Sequence, residues 1–493
     1  MSEDHSYLTN FPHLIYQREH NDIVHSGQCD CCVYTSNRIA DIKCSELLTD
    51  SLYILNNSLL YTPLTPDYYT VIGKNSRLVN INSSALELAM HFRQARLLKD
   101  IPSSWQECQG QTAIQSILTQ MTKLGLLLPE TYTVSEHNEY PETLSAWLQI
   151  TDNCNLQCAY CYVPRTNAEM SSKTGHAVVN AVFRSALNHG YKEINLKYAG
   201  GEPLLCFELV SELHQYAQMM AEQYNIALNG VVLSNGTLLT PSIIKQILNL
   251  DLDLVISLDG LEYFHDCQRF HTGGHTSFKA VSQAIDLAVS HNLVPGISIT
   301  VSSRNVRGLP ELIKWILERD LPFSINFYRE HNRCSTETDL KLEEETIIEG
   351  MLCAYKVIEA ILPHKNLPCS LADHADFSAP HLHTCSAGNS YLVFDHKGCA
   401  AKCQMDINNT VTDASAPDPL LQIRNSSKGI QNFSAEEKNG CKKCKWRYWC
   451  AGGCPLSAYR ATGRYDVKSP NCNIYKALCP EVLRLEGLGL LYS

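Results

Sequence analysis

The chain has 493 residues, with 51 acidic and 40 basic side chains and a formal net charge of −11. Its length allows two to four domains of about 100–200 residues each. The acidic balance argues against a general nucleic-acid-binding protein, which would carry a basic face. No apolar run approaches the ~20 residues that span a bilayer, and residues 1–6 lack a signal-peptide pattern. We therefore expect a cytoplasmic protein that binds neither nucleic acid nor membrane.

Cysteine is frequent in this chain, with 22 residues, many of them in clusters. In a reducing compartment, clustered cysteines indicate metal or redox chemistry rather than disulfides. In the N-terminal extension, residues 1–59, Cys29, Cys31 and Cys32 lie close together without a clear fourth ligand. We therefore assign them no role.

Residues 60–135 show a separate pattern of strands and helices. Two strand-like runs, Tyr68–Gly73 and Arg77–Ile81, are joined by residues that favour a hairpin turn. Asn82 or one of the two serines after it can cap a helix that runs to about Leu97.

A second amphipathic helix, Thr112–Leu124, follows, and Gly125 is placed to end it. Two strands followed by helices resemble the winged-helix-like recognition element of many enzymes that modify ribosomally made peptides. Such elements bind an extended leader peptide as an added strand at a sheet edge. The resemblance implies a precursor peptide with a leader segment as partner. The alternative is a small α/β module that only packs on the rest of the chain.

From residue 144 to residue 362, strand-like and helix-like segments alternate, which predicts an α/β fold with a parallel sheet. The helix-like stretches include Ser277–His291, Leu309–Arg319 and a long one from about Thr338 to Ile361. In parallel barrels the chemistry lies at the C-terminal ends of the strands. The predicted strands are Leu144–Thr151, Glu193–Tyr198, Gly230–Leu233, Leu252–Leu258, Gly296–Val301 and Phe323–Tyr328.

Three cysteines with C-x3-C-x2-C spacing, Cys154, Cys158 and Cys161, follow the first predicted strand. They can hold three irons of a [4Fe–4S] cluster, and the fourth iron is then free to bind a cofactor. The alternative, a structural zinc knuckle, needs a fourth ligand close by. With Tyr160 before the third cysteine, the spacing resembles that of radical S-adenosylmethionine (SAM) enzymes.

The resemblance implies a partial (β/α)6 radical SAM barrel in which the open iron binds SAM. One electron, from a donor such as flavodoxin or ferredoxin, then cleaves SAM to a 5′-deoxyadenosyl radical. Residues 199–203, Ala-Gly-Gly-Glu-Pro, resemble the GGEP motif of the family, in which Glu202 would accept hydrogen bonds from the SAM amino group. By the same resemblance, Ser257 would contact the SAM carboxylate and Asp266 the ribose.

The residues that the resemblance predicts to bind SAM are Tyr160, Gly200, Gly201, Glu202, Ser234, Asn235, Ser257 and Asp266. The alternative for most of them is a turn or capping role. Asn326, Tyr328 and Arg329 end the sixth predicted strand and are candidates for substrate contact or for packing at the barrel lip.

Residues 369–479 hold a second regular set of cysteines, Cys441, Cys444, Cys450 and Cys454, whose spacing C-x2-C-x5-C-x3-C indicates a ligand set. With the cysteines around them, they resemble the SPASM domain, a C-terminal extension of radical SAM enzymes with two auxiliary [4Fe–4S] clusters. The resemblance implies an outer cluster on Cys441, Cys444, Cys450 and Cys472, and an inner cluster on Cys385, Cys403 and Cys454. The alternative is a zinc ion on Cys441, Cys444, Cys450 and Cys454.

The fourth ligand of the inner cluster stays open between Cys369, Cys399 and none. Without one, that iron could bind substrate directly. Gln404 occupies the position of the Asp that is thought to act as base in SPASM enzymes that mature sulfatases, and Asp406 follows two residues later. An amide has no proton-accepting form at neutral pH. This departure from the family pattern argues against a sulfatase-maturing function.

These patterns predict a radical SAM oxidoreductase that oxidises or cross-links a ribosomally made peptide. Auxiliary clusters suit such chemistry because the carbon radical formed by hydrogen abstraction needs a second oxidation. The alternatives are a maturase of a larger protein, of the sulfatase or quinoprotein type, an iron–sulfur regulator with salt-dependent DNA binding, and a scaffold that does not cleave SAM. Neither the catalytic residue nor the bond formed can be predicted from the sequence.

Overall fold

The structure is a computed structural model that describes residues 12–16, 51–101, 105, 111–131, 142–331, 338–362 and 369–492. Cys29, Cys31 and Cys32 lie outside these ranges, so no role is assigned to them. None of the helices in the described ranges combines the length and the apolar character that crossing a bilayer requires.

The N-terminal part forms two small sheets. The strands of the first are β1 (Leu14–Ile15), β3 (Leu60–Pro63), β4 (Tyr68–Ile72) and β5 (Val79–Asn82), in the order β1-β5-β4-β3. The strands of the second are β2 (Leu52–Leu55), β6 (Arg96–Leu97) and β7 (Leu127–Pro129), in the order β6-β2-β7. The pairing of β4 with β5 is antiparallel, as the predicted hairpin requires.

Two helices follow these strands, as predicted, but the first one is shorter. Helix α1 (Ser83–His91) begins after Asn82, whose side chain accepts a hydrogen bond of 2.9 Å from the Ala85 amide. It stops short of Leu97 because β6, which contains that residue, pairs with β2. Helix α2 (Gln111–Lys123) ends just before Gly125, where φ is +74°. Whether this part is a winged-helix-like recognition element stays a prediction.

The six predicted strands are present and pair in parallel in chain order, which confirms the barrel topology. They are β8 (Thr143–Thr151), β9 (Glu193–Gly200), β10 (Ala227–Ser234), β11 (Asp253–Ser257), β12 (Gly296–Val301) and β13 (Phe323–Phe327). The helices that follow them are α3 (Ser172–His189), α4 (Phe207–Tyr224), α5 (Pro241–Asn249), α6 (Phe278–Ser290), α7 (Leu309–Leu317) and α8 (Glu344–Ile361).

Sequence signals at the helix ends explain several of these boundaries. The Ser171 side chain caps α3 by accepting a hydrogen bond of 3.1 Å from the Thr174 amide, and Gly190 ends the helix in the left-handed conformation. Thr240 caps α5, in which Pro241 is the first residue. The apolar faces of these helices pack on one face of the parallel strands and form one continuous core with it, which includes Ile194, Leu196 and Tyr198 of β9.

The C-terminal part extends the same sheet. Strand β14 (Cys369–Ser370) lies parallel beside β13, and β15 (Tyr391–Phe394) lies parallel beside β8. Strands β16 (Cys399–Ala401) and β17 (Thr412–Asp413) continue it in antiparallel pairing. The remaining α-helices of the described residues are α9 (Pro419–Asn425), α10 (Pro455–Thr462) and α11 (Cys472–Tyr492), besides two single-turn helices at Tyr263–Asp266 and Arg447–Cys450. The cysteine-rich region is thus joined to the barrel through shared strands.

Candidate functional site

A cavity of about 220 Å³ lies at the C-terminal ends of the barrel strands. Its wall contains the three cysteines after β8, and also the three cysteines that were predicted to hold an inner cluster. The sequence placed these two sets more than two hundred residues apart, and the fold brings them to one cavity. The six cysteines are Cys154, Cys158, Cys161, Cys385, Cys403 and Cys454.

The loop with the first cysteine set is held by backbone hydrogen bonds to the segment before α6. The Gln157 amide donates to the carbonyl of Phe270 at 2.6 Å, and the Ala159 amide donates to the carbonyl of Gln268 at 2.8 Å. Burial raises the pKa of the Cys161 thiol to about 11. Desolvated thiolates of this kind need a bound cation as counter-charge, and iron supplies it, so the donor set fits a cluster.

Behind this loop lies a buried polar network around Asp259. Its carboxylate accepts hydrogen bonds from the Tyr160 hydroxyl at 2.6 Å and from the Thr300 amide at 2.9 Å. Arg269 donates to the same Tyr160 hydroxyl. The network ties the aromatic residue before Cys161 to the segment between β11 and α6 and to strand β12. No spacing pattern in the sequence singles out Asp259, because its partners are distant in the chain.

Glu202 has a structural function that the resemblance did not predict. Its side chain is fully buried, accepts from the Ser234 hydroxyl at 2.7 Å and from the Leu204 and Asn235 amides, and does not line the cavity. It therefore connects the GGEP loop to the loop after β10. The contact with the SAM amino group stays a prediction.

Most other residues predicted to bind SAM do face the cavity. Tyr160, Gly200, Gly201, Ser234, Asn235 and Ser257 line it. Asp266 does not, because its carboxylate accepts hydrogen bonds from the Ser277 and Phe278 amides at the start of α6. This is the capping role that was considered as the alternative for such residues.

Residues at the end of β13 form another part of the cavity wall. Asn326, Tyr328 and Arg329 all line the cavity, as expected for substrate-contact candidates. The Arg329 guanidinium donates a hydrogen bond of 2.6 Å to Asp373, which also accepts from the Tyr475 hydroxyl at 2.7 Å. Burial alone would raise the pKa of the Cys454 thiol, but the nearby Arg329 charge and a hydrogen bond with His374 lower it to about 6.

His374 and Asp373 were missed in the sequence because no spacing pattern links them to the cysteines. His374 is buried, lines the cavity and has a positive φ of +53°. Gln404 lines the cavity too, and its amide oxygen accepts from the Tyr391 hydroxyl at 3.2 Å. Cys399 is not among the residues that line the cavity, and the fourth ligand of the inner cluster stays open.

The outer set lies around a second cavity, lined by Cys441, Cys444, Cys450 and Cys472. Cys454 lines the first cavity and not the second. In the described ranges, no three His, Cys, Asp or Glu side chains converge as ligands of one metal ion do. Thiolates on different irons of a cluster lie further apart than ligands of one zinc ion. This partition favours two cluster sites over the zinc alternative.

Comparison with known proteins agrees with this geometry. The profile of the radical SAM superfamily matches residues 148–316. The uncharacterized protein MJ0907 of Methanocaldococcus jannaschii is 30% identical over 171 residues, which are 34% of this chain and 57% of that protein. A cysteine-type anaerobic sulfatase-maturating enzyme of Clostridium perfringens is 22% identical over 338 residues, covering 62% of this chain and 86% of the enzyme.

Among solved structures, anSMEcpe with bound AdoMet matches with a TM-score of 0.59 at 18% identity, over 70% of this chain and 98% of that one. The likeness shows a shared fold over that part of the chain. Radical SAM domains use SAM and a [4Fe–4S] cluster, and SPASM domains carry auxiliary clusters, which are the cofactors that the cysteine sets fit. The chain therefore contains a radical SAM domain at residues 148–316, and the cysteine-rich region that follows it resembles a SPASM domain.

Proposed function

We propose that this chain is a radical SAM peptide maturase that oxidises or cross-links a ribosomally made peptide. The observation that carries the proposal is the single cavity whose wall contains both the SAM-cluster cysteines and the inner auxiliary set. A substrate side chain held there lies between the group that generates a radical and a group that can accept an electron. Such proximity suits a two-electron oxidation of a C–H bond.

The cavity residues have distinct roles in this proposal. Cys154, Cys158 and Cys161 hold the SAM-binding cluster, which supplies a 5′-deoxyadenosyl radical once SAM is cleaved. The Tyr160–Asp259 hydrogen bond fixes the loop that carries them. Gly200, Gly201, Ser234, Asn235 and Ser257 orient SAM, and Glu202 holds the Ser234–Asn235 loop in place for this.

In the same cavity wall, Cys385, Cys403 and Cys454 hold the inner cluster. Around the second cavity, the outer cluster is held by Cys441, Cys444, Cys450 and Cys472. Asn326, Tyr328 and Arg329 contact the substrate. Arg329 is kept in place by Asp373, which has a second hydrogen bond from Tyr475.

A short edge strand supports the leader-peptide part of the proposal. Strand β3 (Leu60–Pro63) is the last strand of its sheet among the described residues, and Tyr61 on it is 53% exposed. Edge strands of this kind accept an extended peptide as an added strand. Hydrogen exchange at residues 60–63 should slow when a substrate peptide binds, and unchanged exchange there would argue for a module that only packs.

The proposal is tested on protein purified and reconstituted without oxygen. About twelve irons and twelve sulfides per chain are expected for three clusters. With SAM, a reductant such as reduced flavodoxin, and pooled synthetic precursor peptides, we expect 5′-deoxyadenosine and a peptide that has lost two hydrogens. The Cys154→Ala, Cys158→Ala, Cys161→Ala triple variant should form neither product. Formation of 5′-deoxyadenosine by that variant would disprove the catalytic assignment.

A protein substrate is the second candidate, since one relative is named a cysteine-type anaerobic sulfatase-maturating enzyme. Gln404 counts against the sulfatase type, because its amide accepts hydrogen bonds in the cavity wall but cannot take a proton from substrate. Conversion of a sulfatase-derived cysteine peptide to formylglycine would establish this alternative.

A further inference from the structure

A buried lysine, Lys438, has no role in the function proposed so far. It is fully excluded from solvent, with 0% of its side chain exposed. Its ammonium donates hydrogen bonds to the Ala451 carbonyl at 2.7 Å and to the Thr384 hydroxyl at 3.3 Å. Both acceptors are neutral, and within the described part of the chain the ammonium forms no ion pair with a carboxylate.

The position of Lys438 is between the two auxiliary cysteine sets. Thr384 directly precedes Cys385 of the inner set, and Ala451 directly follows Cys450 of the outer set. Burial lowers the pKa of Lys438, and the groups that oppose this effect are cysteines of both sets in their thiolate form: Cys441, Cys385, Cys454 and Cys450. One cation is therefore shared by two anionic sites.

A glycine makes room for this lysine. Gly452 has a φ of +79°. A β-carbon on Gly452 would lie 2.8 Å from Cδ of Lys438 and 3.0 Å from Sγ of Cys441. The absence of a side chain at Gly452 thus lets the lysine stem pass directly beside an outer ligand.

A buried cation beside an iron–sulfur cluster affects the reduction potential of that cluster through its charge. An isolated buried ammonium is unfavourable by several kcal/mol, so it persists in a fold only where a negative charge compensates it. A [4Fe–4S] cluster with thiolate ligands is negatively charged, and one-electron reduction makes it more so. A fixed cation beside it stabilises the reduced form more than the oxidised form, because charge and hydrogen bonding set cluster potentials.

We propose that Lys438 is a shared counter-charge of both auxiliary clusters, a positioning residue that raises the reduction potential of each. The inference rests on the proposed cluster sites. One electron taken up by either cluster adds one negative charge beside the ammonium, and no bond or proton changes place. Both clusters then accept electrons more readily than the same cysteine sets would without the lysine.

The test is a redox titration of the reconstituted holoprotein, followed by electron paramagnetic resonance. Lys438→Met and Lys438→Gln remove the charge, and Lys438→Arg keeps it. The neutral variants should shift both auxiliary midpoint potentials to more negative values and leave that of the SAM-binding cluster unchanged. The arginine variant should restore them. Lys468→Met is the matched control, because Lys468 is exposed and acts on Cys441 and Cys472 of the outer set only.

Unchanged auxiliary potentials in fully loaded neutral variants would overturn the inference, and a shift of one cluster alone would overturn the shared role. If the neutral variants lose the auxiliary clusters while Lys438→Arg keeps them, the charge is needed and the inference stands. If none of the three variants binds the auxiliary clusters, 15N-lysine electron–nuclear double resonance on the unaltered protein tests the inference instead. We expect coupling of one lysine nitrogen to both clusters, and no such coupling would overturn the inference. About four irons in the unaltered protein would instead contradict the proposed function itself.

Discussion

The Asn80 side-chain amide donates a hydrogen bond of 2.7 Å to the backbone carbonyl of Gly487, across 407 residues of sequence. Asn80 lies on β5 of the N-terminal sheet, and Gly487 lies in α11 at the C-terminal end of the described chain. The same glycine faces Thr70 on β4. The N-terminal sheet therefore covers the last helix, and deleting it would uncover that helix as well as remove a recognition element.

The close approach at Gly487 predicts a steric effect. In Gly487→Ala the added β-carbon would meet the Thr70 hydroxyl oxygen at 1.8 Å, so the sheet and helix must move apart. We expect a loss of about 1–3 kcal/mol in the free energy of unfolding. Gly489→Ala is the matched control, because its nearest neighbour, a Leu362 methyl, lies at 3.8 Å. Equal melting temperatures for the two variants would refute this contact.

Removal of the Tyr160 hydroxyl should loosen the loop that carries the first three cysteines. In Tyr160→Phe the buried Asp259 carboxylate and Arg269 guanidinium lose their shared hydrogen-bond partner. We expect this loss to lower the free energy of unfolding by about 1–3 kcal/mol. We expect faster loss of the SAM-binding cluster to an iron chelator and slower 5′-deoxyadenosine formation. Tyr263→Phe, at a site 71% exposed, should match the unaltered protein. Equal rates of cluster loss in both variants would contradict the structural role of the network.

Arg329 should contribute to the stability of the fold as well as to substrate binding. Arg329→Met leaves the Asp373 carboxylate, which is 2% exposed, without its cation, and breaking a buried pair in this way costs about 3–5 kcal/mol. We expect a clear drop in melting temperature and lower iron content. Arg319→Met removes an ion pair with Asp286 at the surface and should change little. A stable, fully loaded Arg329→Met would show that Asp373 does not depend on the arginine.

Acid sensitivity should depend in part on His214 in α4. Burial lowers the pKa of this side chain from 6.5 to about 4. Because the folded-state value lies below the unfolded one, the neutral form stabilises the fold fully above pH 6.5, and this contribution falls away as the pH drops towards 4. This loss lowers the free energy of unfolding by at most about 3 kcal/mol.

The His214→Gln variant does not titrate, so its melting temperature should fall less between pH 7 and pH 4 than that of the unaltered protein. The glutamine side chain can still bond to the Tyr198 hydroxyl, which lies 3.1 Å from Nδ1 of the histidine. His291→Gln, at an exposed site, serves as control. Parallel pH profiles for His214→Gln and the unaltered protein would rule out this contribution.

The barrel strands could be predicted because each is a short apolar run between turn residues, as in Gly296–Val301. The short strands β14 and β15 could not, since two or four residues carry no periodicity and their partners are distant in sequence. The end of α1 was placed too far along the chain because β6 takes Leu97 into a sheet. Tertiary pairing overrode the local helix signal there.

The cysteine spacings alone indicated two ligand sets, one after β8 and one in the C-terminal region, because ligands on one loop must lie within a few residues of each other. The division into an inner and an outer set was implied only by the family resemblance. The tertiary structure determines which cavity walls and supporting residues those sites have in common. Only long-range packing places Cys154 and Cys454 in one cavity wall, makes Glu202 a support for the Ser234 loop, and encloses Lys438 between two cysteine sets. These relationships join side chains that are far apart in sequence, so no local pattern could encode them.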